Sequence, residues 1–383
     1  MTRDCRAAPG IAVIALTQCR ERQIIGLVSV DVLVEVSGCL TTCMHCWALG
    51  RGYRPMPVQD AAFVLDELSG FCAERGLDYF TYPMHEVTAH PAAPDMIRLF
   101  APHLAPHLGQ GYDPILTPGT PLASREDWAE IIAAARQCGA HALWVAFHGY
   151  GAEHDRQLNR PGAFDETCLA VRRARELGMG SGANVFLTKP GLRDFGRLLP
   201  VLQDLGIRTA AFTVADYTPT VRGRRYQALR PELGDLLPIA PQVLNQTPRD
   251  RPALSSLRQT WSSLEAYTEA AWVQRARDAS WPEITEWDGP RYRLVCRPNL
   301  DLHTGTTGIY RRRHGNMRRD GARAVLQRAL ADGPTSREQL YFPGPAPPTA
   351  ELAALAGDAD GTAIHFHATS VRDLWLDRHR QTR

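Results

Sequence analysis

The chain has 383 residues, 44% of them hydrophobic and 22% charged, and a formal net charge of +2 at pH 7. The near-neutral balance excludes an overall field aimed at nucleic acid or an anionic membrane, while the length permits a sizeable core in one large globular domain with an appendage, or in two domains. Nearly all the basic charge is arginine, with Lys189 the only lysine, a bias of composition from which no function follows.

Taken in chain order, the first apolar run, "IAVIALT" at residues 11 to 17, is too short to span a membrane and lacks the small-residue cleavage site of a secretory signal. A cytoplasmic protein is therefore expected. Nine cysteines in that compartment suit metal ligands, catalytic groups or small buried side chains better than disulfides. From about residue 30 to 217, short apolar runs alternate with amphipathic stretches. The strand candidates are "DVLVEVS" (31 to 37), "LDYFTYPM" (77 to 84), "YDPILTP" (112 to 118), "HALWVAFHG" (141 to 149), "ANVFLTK" (183 to 189) and "IRTAAFTVADY" (207 to 217). Between them, Ala61, Val64, Leu65, Leu68 and Cys72 recur at helical spacing. Ser124 is placed to cap a helix with Asp127 at its third position. The segments "ERG", "QCG", "ELG" and "DLG" each precede a strand, as where a left-handed glycine stops a helix.

Six such units predict an α/β fold, a partial TIM-like (β/α)6 barrel over 30–240 preceded by an N-terminal segment at 1–29. After residue 240 the pattern changes. A proline-rich stretch leads into an expected helix carrying Trp261, Leu264, Tyr267 and Ala271, and a compact α+β extension reaches to about 340. Residues 341–383 read as a linker and a small closing element in which "AIHFHAT" alternates as a short strand.

Cys39, Cys43 and Cys46 follow the first strand directly, where barrel enzymes place reactive loops. A structural zinc site takes four ligands, normally as two separated pairs, and no second pair follows. A cubane iron–sulfur cluster accepts three thiolates on three corners and leaves its fourth iron open. Zinc, with His45 as a further donor, stays open on spacing alone.

"CLTTCMHC" resembles the signature loop of the radical S-adenosylmethionine enzymes, with His45 where the family usually has an aromatic residue. The resemblance implies one [4Fe-4S] cluster on Cys39, Cys43 and Cys46, S-adenosyl-L-methionine on the open iron, reductive cleavage to a 5'-deoxyadenosyl radical, and hydrogen abstraction from an unactivated C–H bond. "YPMHEVTAHP" stands where the family binds the cofactor's ammonium. Glu86 and the pair His90 and Pro91 match, with Met84 and His85 in place of glycines. "VAFHGYGAEHDRQLNRPGAFDETC" resembles the fourth unit of the peptide-modifying branch, with His154 and Asp155 in register. His148 and Asn184 are the implied further cofactor ligands, and Asn184 and Thr188 face the barrel mouth if Val185 and Leu187 face outward. "LVCRPNLDLHTGTTGIYRRRHGN" resembles the start of the SPASM-type extension. Cys296, Gly305, Gly315 and Asn316 match, and Tyr310 replaces a cysteine, implying a degenerate extension that keeps the fold without auxiliary clusters.

The expected function is maturation of a ribosomally made peptide, with an external electron donor such as flavodoxin or ferredoxin. Because fewer than thirty residues precede the first strand, a separate leader-peptide recognition protein is expected. The alternatives are epimerisation, elimination or rearrangement of a small molecule such as a sugar or nucleoside, and a zinc-stabilised binding protein. Simpler readings stand beside each residue: Glu86 as a salt-bridged carboxylate, His148 as a packed histidine, and Cys72, Cys138 and Cys168 as packing residues. Cys296 reads as a leftover ligand, a packing residue or a thiol that returns hydrogen to a substrate radical. The arginines of 311 to 319 read as a solvated face or an anion site, and Trp281, Trp287, Tyr292 and Tyr310 as the core of the extension. His365 and His367 lack a third ligand nearby in sequence.

Overall fold

A computed structural model describes residues 29–46, 54–84, 86–104, 115–207, 209–246, 260–278, 291–306, 309–335, 349–356, 361–366 and 368–381. Strand β1, Ser29–Glu35, alternates in sequence, and Val30, Val32 and Val34 are buried with Val36 on one face while Asp31, Leu33 and Glu35 take the other. The helix Val58–Arg75 buries Ala61, Val64, Leu65, Leu68, Phe71 and Cys72, the stripe that helical spacing requires. It stops at Gly76, whose φ of 62° is left-handed and whose N–H reaches the carbonyls of Ala73 and Cys72. Gly139, Gly178 and Gly206 also take positive φ at the other expected stops.

All six expected strands are present: β2 Asp78–Met84, β3 Ile115–Thr117, β4 Ala142–Phe147, β5 Gly180–Phe186 and β6 Thr209–Thr213 follow β1. Strand β5 begins and ends three residues early because Thr188 leaves the sheet to cap the helix Lys189–Leu192, accepting from the Gly191 N–H at 3.1 Å. The strands β3-β4-β5-β6 form one parallel sheet. The pairing between β2 and β3 that a continuous barrel wall needs is absent among the described residues. The two meet instead beyond their C-terminal ends, where the Thr88 and Thr117 hydroxyls lie 3.4 Å apart.

On its other edge β1 pairs in parallel with β7, Tyr292–Cys296, and β8, Asp301–Thr306, and β9, Ile309–Asn316, continue that sheet antiparallel, giving the order β2-β1-β7-β8-β9. The extension therefore shares a hydrogen-bonded sheet with the first strand. The helix Ala322–Ala331 covers this sheet beside Val58–Arg75, linked to it by Arg323 and Glu74.

Three local expectations change. Ser124 ends a helix, Thr120–Ser124, and its hydroxyl donates back to the Thr120 carbonyl. Asp127 is the N-cap residue of Trp128–Gln137, and its carboxylate pairs with Arg125. The helix expected around Trp261 to Ala271 breaks at Thr268, whose hydroxyl accepts from the Ala271 N–H at 3.2 Å; a short 3-10 turn, Leu264–Tyr267, precedes the helix Glu269–Arg277. "AIHFHAT" makes isolated bridges at Ala363 and Ile364 in place of a strand, and His367 lies outside the described residues. So do Trp281 and Trp287.

A second small core joins Tyr217, Trp272 and Val273 to Val371, Leu374 and Trp375 of the last helix, Ala368–Gln381. No helix among the described residues is long and apolar enough to cross a membrane. The arginines of β9 and its turn pair with carboxylates: Arg312 with Asp332, Arg313 with Asp301, Arg318 with Asp60 and Arg319 with Asp320.

Hydrogen bonding by Arg313 holds the Asp301 carboxyl at about 2, helped by Asn316 and Asn299. A depressed folded-state value adds stability that is present above the unfolded value and is lost as pH falls through about 2, here roughly 2 kcal/mol. Asp301→Asn should lower the urea midpoint at pH 7, with the difference from wild type shrinking between pH ~4 and ~2.

Candidate active site

The loop after β1 carries Cys39, Cys43 and Cys46 and is held from outside itself. The Ser37 hydroxyl donates to the Glu86 carbonyl at 2.7 Å, tying the ends of β1 and β2 together. The N–H groups of Thr42 and Met44 donate to the carbonyls of Leu158 and Gln157 at 3.0 and 2.9 Å, and the Asn159 amide donates to the Thr42 hydroxyl at 3.0 Å. Those acceptors are the unsatisfied carbonyls at the end of the helix Ala152–Leu158. Within the loop the Cys46 N–H closes a turn on the Cys43 carbonyl, and the Thr41 hydroxyl lies 3.6 Å from the Cys43 sulfur.

Burial pushes the Cys39 thiol far up, and the fields of Glu86, Cys46 and Cys43 add to it. Burial and Cys46 push Cys43 up to about 12, opposed by Thr41 and Arg222. Three thiols and a carboxyl thus crowd one half-buried site and repel one another's anions, the condition that a bound metal cation relieves. Among the described residues no three His, Cys, Asp or Glu side chains converge on a single ion. A cubane cluster gives each thiolate its own iron, so an all-thiol set on one clamped loop fits it.

Glu86, just after β2, is buried, and its Oε1 accepts from the Thr88 hydroxyl at 2.5 Å. Burial raises its carboxyl to about 7 against the opposing bonds of Thr88 and Thr117. His90 accepts from the Ala92 N–H at Nδ1, so its Nε2–H donates to the Met56 carbonyl at 2.9 Å. Arg125 fixes the same turn, donating to the His90 and Pro91 carbonyls. Nothing in the sequence singles out Arg125, because its role needs the turn after β2 brought beside it. His85 lies outside the described residues.

His148, just after β4, is buried and stacks on Phe186 at 4.8 Å with the rings 2° from parallel. His45 joins the stack, 4.7 Å from His148 and 4.4 Å from Phe186, with Tyr226 edge-on at 6.0 Å. His45 therefore packs as an aromatic ring. Burial lowers His45 and His154 to about 4 and holds His148 well below its ordinary value, so all three imidazoles are neutral near pH 7. The Nδ1 atoms of His45 and His148 are buried without a hydrogen-bond partner. Two orphaned ring nitrogens beside the thiol loop fit a polar ligand there.

Asn184 lies half-buried on β5, in register with Ala146, on the face opposite the core residues Ala183 and Val185. The period of two puts Phe186 on its face, a signal that could have marked that residue. Thr188, expected to face the same opening, is spent as a helix cap. His154 accepts the His148 N–H at Nδ1, and both Asp155 oxygens accept from Gly162 and Phe164 N–H groups at 2.7 and 2.8 Å. The His154 and Asp155 pair thus shapes the loop below the site.

Cys296 is elsewhere. At the end of β7 it lies in register with Val34 on the helix-covered face, fully buried, its sulfur 4.0 Å from that of Met317. Burial pushes its thiol up. Tyr310, where the extension pattern expects a cysteine, donates to Glu35 Oε1 at 2.6 Å beneath the guanidinium of Arg297.

A scan against models of known protein families finds no match, and no curated protein matches. Among solved structures the chain is similar to native anSMEcpe with bound AdoMet and Cp18Cys peptide, at 11% identity over 92% of this chain and 97% of that one, with a TM-score of 0.48. It is also similar to SuiB of Streptococcus suis bound to precursor peptide SuiA, at 13% identity over 80% and 66%, TM-score 0.48. A third is the radical S-adenosylmethionine methyltransferase TsrM of Kitasatospora setae with tryptophan and a SAM analog, at 20% over 51% and 38%, TM-score 0.34. At these identities and TM-scores the likenesses carry no functional argument.

Below Asn184, Gly182 faces the Trp144 indole so closely that an added Cβ would sit 2.2 Å from the ring. Gly182→Ala should destabilise the protein by about 1–3 kcal/mol or displace Trp144, read as a lowered denaturation midpoint with altered tryptophan fluorescence.

Proposed function

We propose that this chain is a radical S-adenosylmethionine enzyme holding one [4Fe-4S] cluster on Cys39, Cys43 and Cys46. The observation that carries the reading is the three-thiol loop at the C-terminal end of β1, clamped from two sides, with its thiols in one another's field and in that of buried Glu86. When bound, the cluster and cofactor supply a reductively released 5'-deoxyadenosyl radical that takes hydrogen from a substrate C–H bond.

The chain's own residues hold, orient and exclude water. The thiols of Cys39, Cys43 and Cys46 bind as thiolates, and the clamp on Thr42 and Met44 keeps them in place. Glu86 accepts from the cofactor's ammonium, which favours its anion and offsets the burial that otherwise keeps it near half-protonated at neutral pH. The orphaned Nδ1 atoms of His45 and His148 offer hydrogen bonds to the cofactor's polar groups, and Asn184 offers an amide. The stack of His45, His148 and Phe186 would exclude water from the side of the site it covers.

The substrate class we propose is a ribosomally made peptide, supported by the resemblance of the segments around His154, Asp155 and Cys296 to peptide-modifying enzymes. A separate leader-recognition protein and a flavodoxin- or ferredoxin-type donor would serve it. A sugar, nucleoside or amino-acid derivative is the rival substrate.

After anaerobic reconstitution, dithionite and S-adenosylmethionine should yield 5'-deoxyadenosine by mass spectrometry, and Cys43→Ala should reduce it to background. A protein that holds zinc tightly and makes no 5'-deoxyadenosine would sink the enzyme reading in favour of a zinc-stabilised binding protein. Glu86→Gln in the reconstituted protein should weaken S-adenosylmethionine binding about tenfold or more, the scale of a charge-assisted hydrogen bond, measured by equilibrium dialysis.

A further inference from the structure

We infer that Arg222 raises the reduction potential of the cluster at Cys39, Cys43 and Cys46, and that the C-terminal helix Ala368–Gln381 holds it in position to do so; this rests on the reading proposed above. Arg222 belongs to the short helix Val221–Tyr226 after β6 and is half-buried. Its Nη1 donates to the Cys43 carbonyl at 3.4 Å, across the opening from β6 to the loop after β1.

The placement is built from outside the strands. Thr220 caps the Arg222 helix, accepting from the Gly223 N–H at 3.0 Å, and Gly223 lies so close that an added Cβ would be 1.9 Å from the Thr218 carbonyl. Two residues along, Arg224 makes a two-pronged pair with Asp377 of the C-terminal helix, both N to O distances being 2.7 Å. The Tyr217 hydroxyl donates to the same carboxylate. Asp377 is nearly buried, and Val371, Leu374 and Trp375 of its helix pack into the second core. A chain of contacts therefore runs from the last helix through Asp377 and Arg224 to Arg222 and the thiol loop.

One-electron reduction adds a negative charge to the cluster, and a fixed cation nearby stabilises the reduced form more than the oxidised form. Arg222 should thus ease delivery of the electron. Its half-buried site leaves that charge less screened than a fully exposed arginine would be.

The test uses the reconstituted full chain without S-adenosylmethionine, in an EPR-monitored redox titration. Arg222→Gln keeps a donor for the Cys43 carbonyl and removes the charge. It should lower the reduced-to-oxidised ratio about tenfold at a fixed solution potential, about 59 mV more negative for a one-electron couple. Arg222→Lys should stay near wild type, and Asp377→Asn, which loosens the helix, should shift partway toward Gln. An unchanged midpoint in Arg222→Gln, or the same shift in Lys as in Gln, would overturn the inference while leaving the cluster assignment intact. If wild type assembles no cluster, the inference and the underlying reading fall together.

Discussion

The site depends on one constraint: a loop with three thiols must be held still by groups that are not its own. Its Thr42 and Met44 N–H groups find their acceptors outside the loop, and its thiol anions repel one another. The exposed carbonyls at the end of Ala152–Leu158 meet the first need. Loop and helix are complementary: the helix would end with orphaned acceptors and the loop with orphaned donors. Among the described residues the protein's own groups leave the second need unmet apart from the Thr41 hydroxyl and the opposing field of Arg222 at Cys43.

The same logic explains how β1 is supported. A strand that ends in such a loop is poorly served as a sheet edge, and β1 is flanked by β2 and β7. The extension that supplies β7 brings Tyr310 to Glu35, the last residue of β1, and sends Cys296 to the opposite, helix-covered face. At that join the contacts are a hydrogen bond and a stacked guanidinium. The C-terminal helix repeats the pattern from the β6 side, where Asp377 fixes Arg224.

The histidines show how one residue type divides its work by surroundings. His90 and His154 have an assigned hydrogen bond at Nδ1 and shape turns. His45 and His148 stack with Phe186 and keep Nδ1 unsatisfied. A buried orphan nitrogen costs stability unless a partner meets it, and these two lie together beside the thiol loop, unlike those of His303 and His365.

The sequence by itself determined most of the elements between residues 29 and 213. Period-two valines mark β1, the spacing of Ala61, Val64, Leu65 and Leu68 marks its following helix, and four glycines mark helix stops, because these depend on local backbone geometry and one buried face. It also determined the thiol loop and its place after β1, since three thiols within eight residues are a local pattern. Tertiary structure alone decided what meets what: Arg125 at the turn of His90, Phe186 against His45, Arg222 at Cys43, and Cys296 away from the site. It also decided that β7 joins β1 while β2 and β3 stay unpaired among the described residues, with Thr88 beside Thr117 at that gap. Those pairings join residues far apart in the chain, and their energies depend on burial and orientation that no short stretch of sequence encodes.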